Sequence, residues 1–176
     1  MKRAVFVNGV PASGKSTVAR DLSLKTGWPL FALDTVKEAL FEEIGRGDRE
    51  YNRMMGRASY RAIFDLIADC PDSVTVIIDA WFGFQPRAVL DAHIARAGLG
   101  RIAEVWCHAP PEEIGARYAR RVGTRSTGHL GLDYVPELIE LARRATPVGD
   151  FNVLRVDTTL AAPDLAAWAR KALQTD

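Results

Sequence analysis

The fold of this chain is decided by the stretch Gly9-Val10-Pro11-Ala12-Ser13-Gly14-Lys15-Ser16, which directly follows the apolar run Ala4-Val5-Phe6-Val7. The two glycines let the backbone curl, so that successive N–H groups can point at phosphate oxygens. Lys15 would then reach the β- and γ-phosphates of a nucleotide, and the Ser16 hydroxyl is placed to bind Mg²⁺. A helix that begins near Lys15 adds its positive dipole end to the same anion site. The predicted nucleotide-binding residues of this stretch are Gly9, Pro11, Ala12, Ser13, Gly14, Lys15, Ser16 and Thr17.

The composition is that of one compact domain, which we expect to span residues 1–176. A formal net charge of +1 does not favour long nucleic acid or an anionic membrane surface as a partner. No apolar stretch reaches the roughly 18 residues of a membrane span, and the first strand starts almost at once, so we expect a cytoplasmic protein. The two cysteines, Cys70 and Cys107, form no metal-ligand spacing. The sequence leaves the oligomeric state open.

Short apolar runs alternate with longer segments of helical pattern along the chain. The predicted strands cover residues 3–8, 29–33, 74–78, 102–107 and 152–156, and the predicted helices cover 15–24, 35–43, 51–70, 86–97, 111–122, 135–144 and 163–173. This alternation predicts an α/β fold of three layers, with a five-stranded parallel sheet covered by helices on both faces. In such sheets ligands bind beyond the carboxyl ends of the strands, so residues at those ends are the candidates for function.

Asp79 closes the apolar run Thr75-Val76-Ile77-Ile78 at the carboxyl end of the third predicted strand. A carboxylate at this point of a nucleotide site holds Mg²⁺, often through water. We therefore predict that Ser16 and Asp79 form the metal site. The alternative is that Asp79 only caps the turn that follows the strand.

Asp34 ends the second predicted strand, about 20 residues after the glycine-rich loop. A carboxylate there could accept the proton of an alcohol and align its oxygen for attack on a phosphate. An enzyme that only hydrolyses nucleotides would instead need a residue that orients water. The competing interpretation is that Asp34 caps the helix predicted at 35–43, and the two roles are compatible.

Basic residues crowd the end of the fifth predicted helix, in the run Arg117-Tyr118-Ala119-Arg120-Arg121-Val122-Gly123-Thr124-Arg125. A guanidinium from a mobile lid would stabilise the charge that phosphoryl transfer spreads over oxygens. We predict a lid at about residues 120–133, with catalytic contributions from Lys15, Arg120, Arg121 and Arg125 and nucleotide contact by Arg120. Arg117 is the expected bystander. Cations at a helix C-terminus are also favoured by the helix dipole alone.

The acceptor pocket is predicted from two further groups of residues. Trp81, Phe82 and Phe84 follow the third strand and could stack on a ring, or could instead pack as core. Arg53, Arg57 and Arg61 recur every four residues in the predicted acceptor-binding segment, 35–61, and share one helix face. They could bind an anionic acceptor or could form a solvated face. The predicted substrate residues are Asp34, Arg57, Trp81, Phe82 and Phe84.

The chain resembles the P-loop small-molecule kinases, and among them the chloramphenicol phosphotransferase-like branch, related to zeta toxins, gluconate kinases and shikimate kinases. The resemblance rests on the glycine-rich loop, Phe31-Ala32-Leu33-Asp34-Thr35, Thr75-Val76-Ile77-Ile78-Asp79 and the arginine-rich lid, whereas the predicted acceptor pocket does not copy that branch. Val156-Asp157-Thr158-Thr159 also resembles that branch, whereas Ala80 stands where it often carries a second acid. The resemblance implies a sheet order of 2-3-1-4-5 and an ATP:alcohol phosphotransferase with Asp34 at the base position. It also implies adenine between the lid and the segment after strand five, which adds Thr158 to the nucleotide-binding residues.

Two functions of different classes fit the sequence. The first is a kinase that moves the γ-phosphate of ATP, with Mg²⁺, to a hydroxyl of a small molecule such as an antibiotic or a sugar. A nucleotide or nucleic-acid 5′-hydroxyl kinase is a variant of it. The second is a binding protein in which the nucleotide orders the lid without phosphoryl transfer. Asp34 separates the two classes, because a switch has no use for a carboxylate aimed at an acceptor.

Overall fold

The computed structural model describes residues 1–123 and 130–174. Its strands are β1 (Lys2–Asn8), β2 (Leu30–Ala32), β3 (Thr75–Ala80), β4 (Leu99–His108) and β5 (Asn152–Asp157). They form one sheet in the order β2-β3-β1-β4-β5, and every neighbouring pair is parallel. The predicted five-stranded parallel sheet and its order are therefore confirmed. All carboxyl ends of the strands meet at one edge of the sheet.

The helices between the strands are α1 (Lys15–Thr26), α2 (Leu33–Ile44), α3 (Arg49–Ala68), α4 (Arg87–Ala97), α5 (Pro111–Arg121), α6 (Val135–Arg144) and α7 (Leu165–Ala172). Asp48 caps α3, because its side chain accepts a hydrogen bond from the N–H of Tyr51 at 2.8 Å. Asp164 caps α7 in the same way, through the N–H of Ala167 at 3.0 Å. Among the described residues, no helix combines the length and the apolar character needed to cross a membrane.

Alternate residues of β1 face opposite sides of the sheet, and both sides are covered. Val5 and Val7 pack in a cluster with buried residues of α1 and α7, whereas Ala4 and Phe6 pack in another with residues of α3 and α4. All four side chains are fully buried. This period of two is what a strand buried on both faces requires, and it produces the predicted three layers.

A third cluster lies at the carboxyl edge of the sheet. Val10 and Ala12 of the glycine-rich loop pack with Ile114 and Tyr118 of α5 and with Leu138 of α6. The helices α5 and α6 therefore hold the loop by apolar contact, in addition to its own backbone turns.

The second strand is shorter than the sequence pattern indicates. It spans only Leu30–Ala32, and α2 begins directly at Leu33. Asp34 consequently lies in the first turn of α2 instead of at the end of a strand. The residue at the cap position is Ala32, which makes no side-chain cap hydrogen bond, so the interpretation of Asp34 as a helix cap is wrong.

Candidate functional site

The glycine-rich loop turns between β1 and α1 with three residues at positive φ. These are Gly9 at 155°, Ala12 at 64° and Gly14 at 89°. The left-handed region costs an alanine roughly 1–2 kcal/mol. The loop is closed by a hydrogen bond from the N–H of Ser13 to the carbonyl of Val10, at 3.1 Å. The loop therefore curves around an open space. The helix α1 follows it directly and begins with N–H groups that have no acceptor within the helix.

Gly9 is required by close approach as well as by its backbone angle. A Cβ built at this position would lie 2.4 Å from the carbonyl oxygen of Cys107 in β4 and 2.4 Å from the Ser13 hydroxyl. Any side chain at position 9 would therefore push the loop away from β4. The expectation that glycine shapes this loop is confirmed at the atomic level.

Asp79 lies beside the loop because of the register of the sheet. It is level with Val7 of β1 and with Ala32 of β2, and it is only 5% exposed. Burial raises the pKa of the Asp79 carboxyl, while the charge of Lys15 and a hydrogen bond from Ser16 act in the opposite direction. The structure thus brings Lys15, Ser16 and Asp79 together, as the sequence predicts.

One carboxylate oxygen of Asp79, Oδ1, is buried and has no hydrogen-bond partner among the described residues. A buried acceptor without a donor is costly unless a ligand completes it. Mg²⁺ typically binds to proteins through one or two oxygen side chains and completes its shell with water and phosphate oxygens. The hydroxyl of Ser16 and the carboxylate of Asp79 therefore fit a magnesium ion, and the metal site stays a prediction.

Asp34 faces the same space as Lys15 and Asp79. The three side chains line a cavity of about 200 Å³ at the carboxyl edge of the sheet. The cavity is also lined by Pro11, Leu33, Lys37, Asn52, Gly56, Ala80, Trp81, Phe84, Tyr118, Leu130 and Tyr134. Two carboxylates and the lysine of the glycine-rich loop thus line one cavity. This arrangement can bring an acceptor next to the end of a bound triphosphate.

Several walls of this cavity have no signature in the sequence. Lys37 of α2 donates to Asn52 Oδ1 of α3 at 2.6 Å, so the two polar residues form one hydrogen-bonding pair. Tyr118 is buried, and its hydroxyl donates to the carbonyl of Leu130 at 2.7 Å. These residues meet through the packing of separate helices. The only local signal was the position of Lys37, one helical turn after Asp34.

The three predicted aromatic residues separate in the structure. Trp81 and Phe84 line the cavity, and Phe84 is 38% exposed. Phe82 is only 3% exposed, and its ring stacks on Phe6 with centroids 4.3 Å apart. The expectation that Phe82 contacts substrate is therefore wrong, because residues Phe82–Phe84 form a 3₁₀ turn that sends neighbouring side chains in different directions.

The arginine stripe of α3 lies outside the cavity. Arg53 and Arg57 pair with Glu50, and Arg61 pairs with Asp65, all on the same helix and all about half exposed. Arg57, predicted to bind substrate, is thus on the solvated face, and Gly56 is the neighbouring residue that lines the cavity. The interpretation as a solvated face is confirmed.

A second cavity lies on the other side of the loop, beside Gly14 and Thr17. Arg117, Arg121 and Thr158 also line it. The Thr158 hydroxyl donates to the carbonyl of Ser13 at 2.7 Å and accepts from Nη1 of Arg117 at 2.8 Å. The segment after β5 therefore contacts the loop directly, where the resemblance implies the adenine.

The described lid arginines differ in position. Arg117, the expected bystander, forms part of the cavity wall, and its side chain is only 18% exposed. Arg120 is 66% exposed and lies 3.3 Å from Glu113, away from both cavities. Arg125 falls outside the described residues, as does the whole of segment 124–129 of the predicted lid. The roles of Arg120, Arg121 and Arg125 remain predictions.

Comparison with known proteins supports the same fold. A candidate kinase from Chloroflexus aurantiacus superposes with a TM-score of 0.80 and 25% identity, covering 98% of this chain and 99% of the other. A sugar kinase from Janibacter sp. HTCC2649 gives a TM-score of 0.63 at 20% identity, with 98% and 95% covered. A gluconokinase from Sinorhizobium meliloti 1021 gives 0.57 at 22% identity, with 97% and 89% covered. The resemblance to P-loop small-molecule kinases is thereby confirmed.

A cytidylate kinase from Ignicoccus hospitalis is 34% identical to the chain over 121 residues, or 68% of this chain. The match spans 64% of that relative, so the chain covers less than two thirds of its length. The family AAA_33, described as an AAA domain, matches residues 5–131. That match covers more than half of the chain and includes the glycine-rich loop, Asp34 and Asp79. The chain therefore belongs to the AAA_33 family and has the fold of the P-loop kinases.

Proposed function

We propose that the protein transfers the γ-phosphate of ATP to a hydroxyl group of a small molecule. The observation that carries this proposal is the cavity shared by Lys15, Asp34 and Asp79. Lys15 belongs to the phosphate loop, whereas Asp34 comes from a different helix. A nucleotide-binding protein that transfers nothing has no need of a carboxylate at this position, but a kinase needs one beside the acceptor oxygen.

In the proposed reaction, Asp34 accepts the proton of the acceptor hydroxyl. The alcohol oxygen then forms a bond to the γ-phosphorus, and the bond from that phosphorus to the β-phosphate oxygen breaks, so ADP leaves with the electron pair. The products are a phosphate monoester, ADP and a proton, which Asp34 later releases to solvent. Lys15 binds the phosphate oxygens throughout and keeps the transferred group in line with the acceptor.

The remaining residues of the site bind charge. A magnesium ion held by Ser16 and Asp79 would supply charge neutralisation at the β- and γ-phosphates. Arg121 lines the second cavity together with Gly14 and Thr17. In the proposed complex Arg121 contacts the nucleotide, and Arg120 and Arg125 would approach with the lid. A guanidinium in this role increases the rate of phosphoryl transfer by about 10³–10⁵.

The lining of the cavity supports an acceptor with two kinds of surface. Trp81 and Phe84 offer aromatic faces, and the pair formed by Lys37 and Asn52 offers polar atoms. Rings with hydroxyl groups, such as sugars and many antibiotics, combine an apolar face with hydrogen-bonding edges. We therefore propose a hydroxylated ring compound as the acceptor class.

The test is a screen of the purified protein with ATP and Mg²⁺ against sugars, sugar acids, antibiotics and nucleosides. Formation of ADP would be followed, and each product would be examined by mass spectrometry for one added phosphoryl group. We expect phosphorylation of a hydroxyl compound, and we expect Lys15→Ala to abolish it. Nucleotide binding without transfer to any compound would instead favour a nucleotide-gated binding protein.

A second candidate is a nucleotide kinase, which the identity to a cytidylate kinase favours. Its acceptor would be the phosphate of a nucleoside monophosphate, for which Lys37 would be a cation in the cavity wall. Nucleoside monophosphates therefore belong in the same screen. Turnover with cytidine monophosphate and with none of the alcohols would replace the first proposal by this one.

A further inference from the structure

Glu104 is a fully buried carboxylate in the middle of β4, at 0% exposure. It is level with Phe6 of β1 and lies between Ala103 and Val105, both of which are buried. A buried carboxylate is expensive, and apolar residues of similar volume often stabilise a fold at least as well. The stability of the sheet therefore does not explain the presence of Glu104.

The contacts of Glu104 lead to the phosphate loop. One oxygen, Oε1, accepts from Nδ2 of Asn8 at 2.7 Å, and both oxygens accept from the N–H of Val148, at 3.2 and 3.1 Å. Asn8 is the last residue of β1 and is also fully buried. Because a carboxylate only accepts, it fixes the Asn8 amide with its nitrogen toward Glu104 and its oxygen on the opposite side.

The oriented oxygen of Asn8 joins two parts of the site. Oδ1 accepts from the N–H of Gly9, the first residue of the loop, at 2.8 Å. It also accepts from the N–H of Phe82, at 3.1 Å. Phe82 begins the 3₁₀ turn that ends at Phe84, and Trp81 directly precedes that turn. Trp81 and Phe84, the two aromatic residues that line the cavity, therefore lie within two residues of the hydrogen bond to Asn8.

We propose that Glu104 is a positioning residue, which acts through Asn8 to fix the acceptor wall of the cavity relative to the phosphate loop. The role in catalysis depends on the proposed function, whereas the coupling between the two segments does not. Binding of a nucleotide at the loop is transmitted to Phe82 through one amide group. Loss of Glu104 frees that amide to rotate, which loosens the acceptor wall without removing any group that contacts nucleotide.

The decisive test uses a reciprocal exchange of two functional groups. Glu104→Gln weakens the pair, and Asn8→Asp brings two carboxylates together. In the double variant Asn8→Asp/Glu104→Gln, the new amide nitrogen at position 104 donates to the new carboxylate at position 8, which still accepts from Gly9 and Phe82. The amide oxygen at position 104 still accepts from the N–H of Val148. Only the double variant restores a complementary set of donors and acceptors, so it is expected to rescue both single variants.

The first readout is the backbone amide resonance of Phe82 during titration with ATP and Mg²⁺, which needs no acceptor. We expect a shift in the native protein, a shift reduced by at least about half in Glu104→Gln, and recovery in the double variant, while the Kd for ATP changes by less than about threefold. An equal response of native protein and Glu104→Gln, or no response in the native protein, would overturn the proposal. This result is independent of whether the protein phosphorylates an alcohol.

The second readout is kinetic, with the acceptor that the screen identifies. We expect kcat of Glu104→Gln to fall about tenfold with both KM values within about threefold, and the double variant to recover most of the loss. The core variant Leu165→Ala controls for a general loss of stability, because Leu165 is buried in the cluster on the opposite face of the sheet from Phe82. Equal losses of kcat in Leu165→Ala and Glu104→Gln would reduce Glu104 to a structural residue.

Discussion

Thr158 holds the phosphate loop from the far end of the chain, because its hydroxyl donates to the carbonyl of Ser13 at 2.7 Å. Its N–H also donates to the carbonyl of His108, the last residue of β4, at 2.8 Å. Arg117 completes the arrangement by donating to the Thr158 hydroxyl at 2.8 Å. This side of the glycine-rich loop is thus formed by three separate segments, and the segment after β5 lies beyond the part of the chain that the family match covers.

Thr158→Val tests this link, since it keeps the shape of the side chain and removes the hydroxyl. The Ser13 carbonyl and Arg117 lose a partner, and a hydrogen bond contributes about 1 kcal/mol in a typical case. We expect the Kd for ATP with Mg²⁺ to rise about tenfold in calorimetry. Thr159→Val is the matched control, because Thr159 is exposed and its hydroxyl donates to the carboxylate of Asp157, two residues before it. Equal affinities in the two variants would contradict the assignment of Thr158.

Asp79→Asn should stabilise the protein in the absence of ligand and abolish phosphoryl transfer. Burial raises the pKa of this carboxyl in the folded state, so its charged form destabilises the fold. We expect Tm at pH 7 to rise by about 2–4 °C, as a stabilisation of about 1 kcal/mol gives in a chain of this size. The measurement is thermal unfolding without nucleotide.

The pH dependence of this effect has a defined sign. An aspartate whose pKa is raised by folding favours the folded state only while it is protonated, and that advantage is lost as pH rises through the folded-state pKa. The Tm difference between Asp79→Asn and native protein should therefore grow from pH 4 to pH 7. Asp72→Asn, which removes a carboxylate at an exposed position, is the matched control. A Tm difference that stays constant from pH 4 to pH 7 would mean that burial does not raise the pKa of Asp79.

Asp34→Asn should separate nucleotide binding from chemistry. The variant keeps the size of the side chain and loses the ability to accept a proton, so transfer should fall by about 10² or more while the Kd for ATP stays within about threefold. Glu42→Gln, an exposed residue of the same helix, controls for the removal of a negative charge from α2. Transfer at a nearly normal rate by Asp34→Asn would remove Asp34 as the base.

Phe82 and Phe84 offer a comparison within one turn. Phe84→Ala removes a cavity wall, and we expect KM for the acceptor to rise about tenfold with a loss of stability below about 1 kcal/mol. Phe82→Ala should instead reduce the free energy of unfolding by about 3–5 kcal/mol, because a buried ring is lost from the core. Urea unfolding and steady-state kinetics distinguish the two. A larger loss of stability in Phe84→Ala than in Phe82→Ala would reverse the assignment.

The sequence predicts correctly those parts of the structure that depend on residues close together in the chain. The glycine-rich loop follows from backbone sterics and spacing, and β3 follows from a run of β-branched residues. The sheet order came from a family resemblance, since nothing in the residues themselves orders five strands. The sequence predicts the start of α2 at residue 35, two residues later than in the structure, because Leu33 continues the apolar run of β2 and hides the change of backbone conformation.

The residues of the site that the sequence does not predict are distant along the chain and meet only in the folded structure. Lys37 and Asn52 are 15 positions apart, and Asn8 and Glu104 are 96 apart, so no window of sequence contains the second pair. Phe82 and Phe84 are the same residue type in one short segment, so the sequence does not distinguish them. In the structure Phe82 is buried, whereas Phe84 lines the cavity. The 3₁₀ turn points the two side chains in different directions, and the hydrogen bond from the Phe82 N–H to Asn8 Oδ1 holds that turn.

The tight approach of Gly9 to Cys107 implies that two signatures of this site would be lost at different speeds during evolution. Shape alone forbids a larger residue at position 9, so a descendant that had abandoned catalysis would still need its glycine to fold. Without a ligand, the buried charge of Asp79 destabilises the protein, so such a descendant would become more stable if this residue were replaced. Glycine at position 9 is therefore expected wherever this fold is kept, whereas the buried acid is expected only where its carboxylate is used.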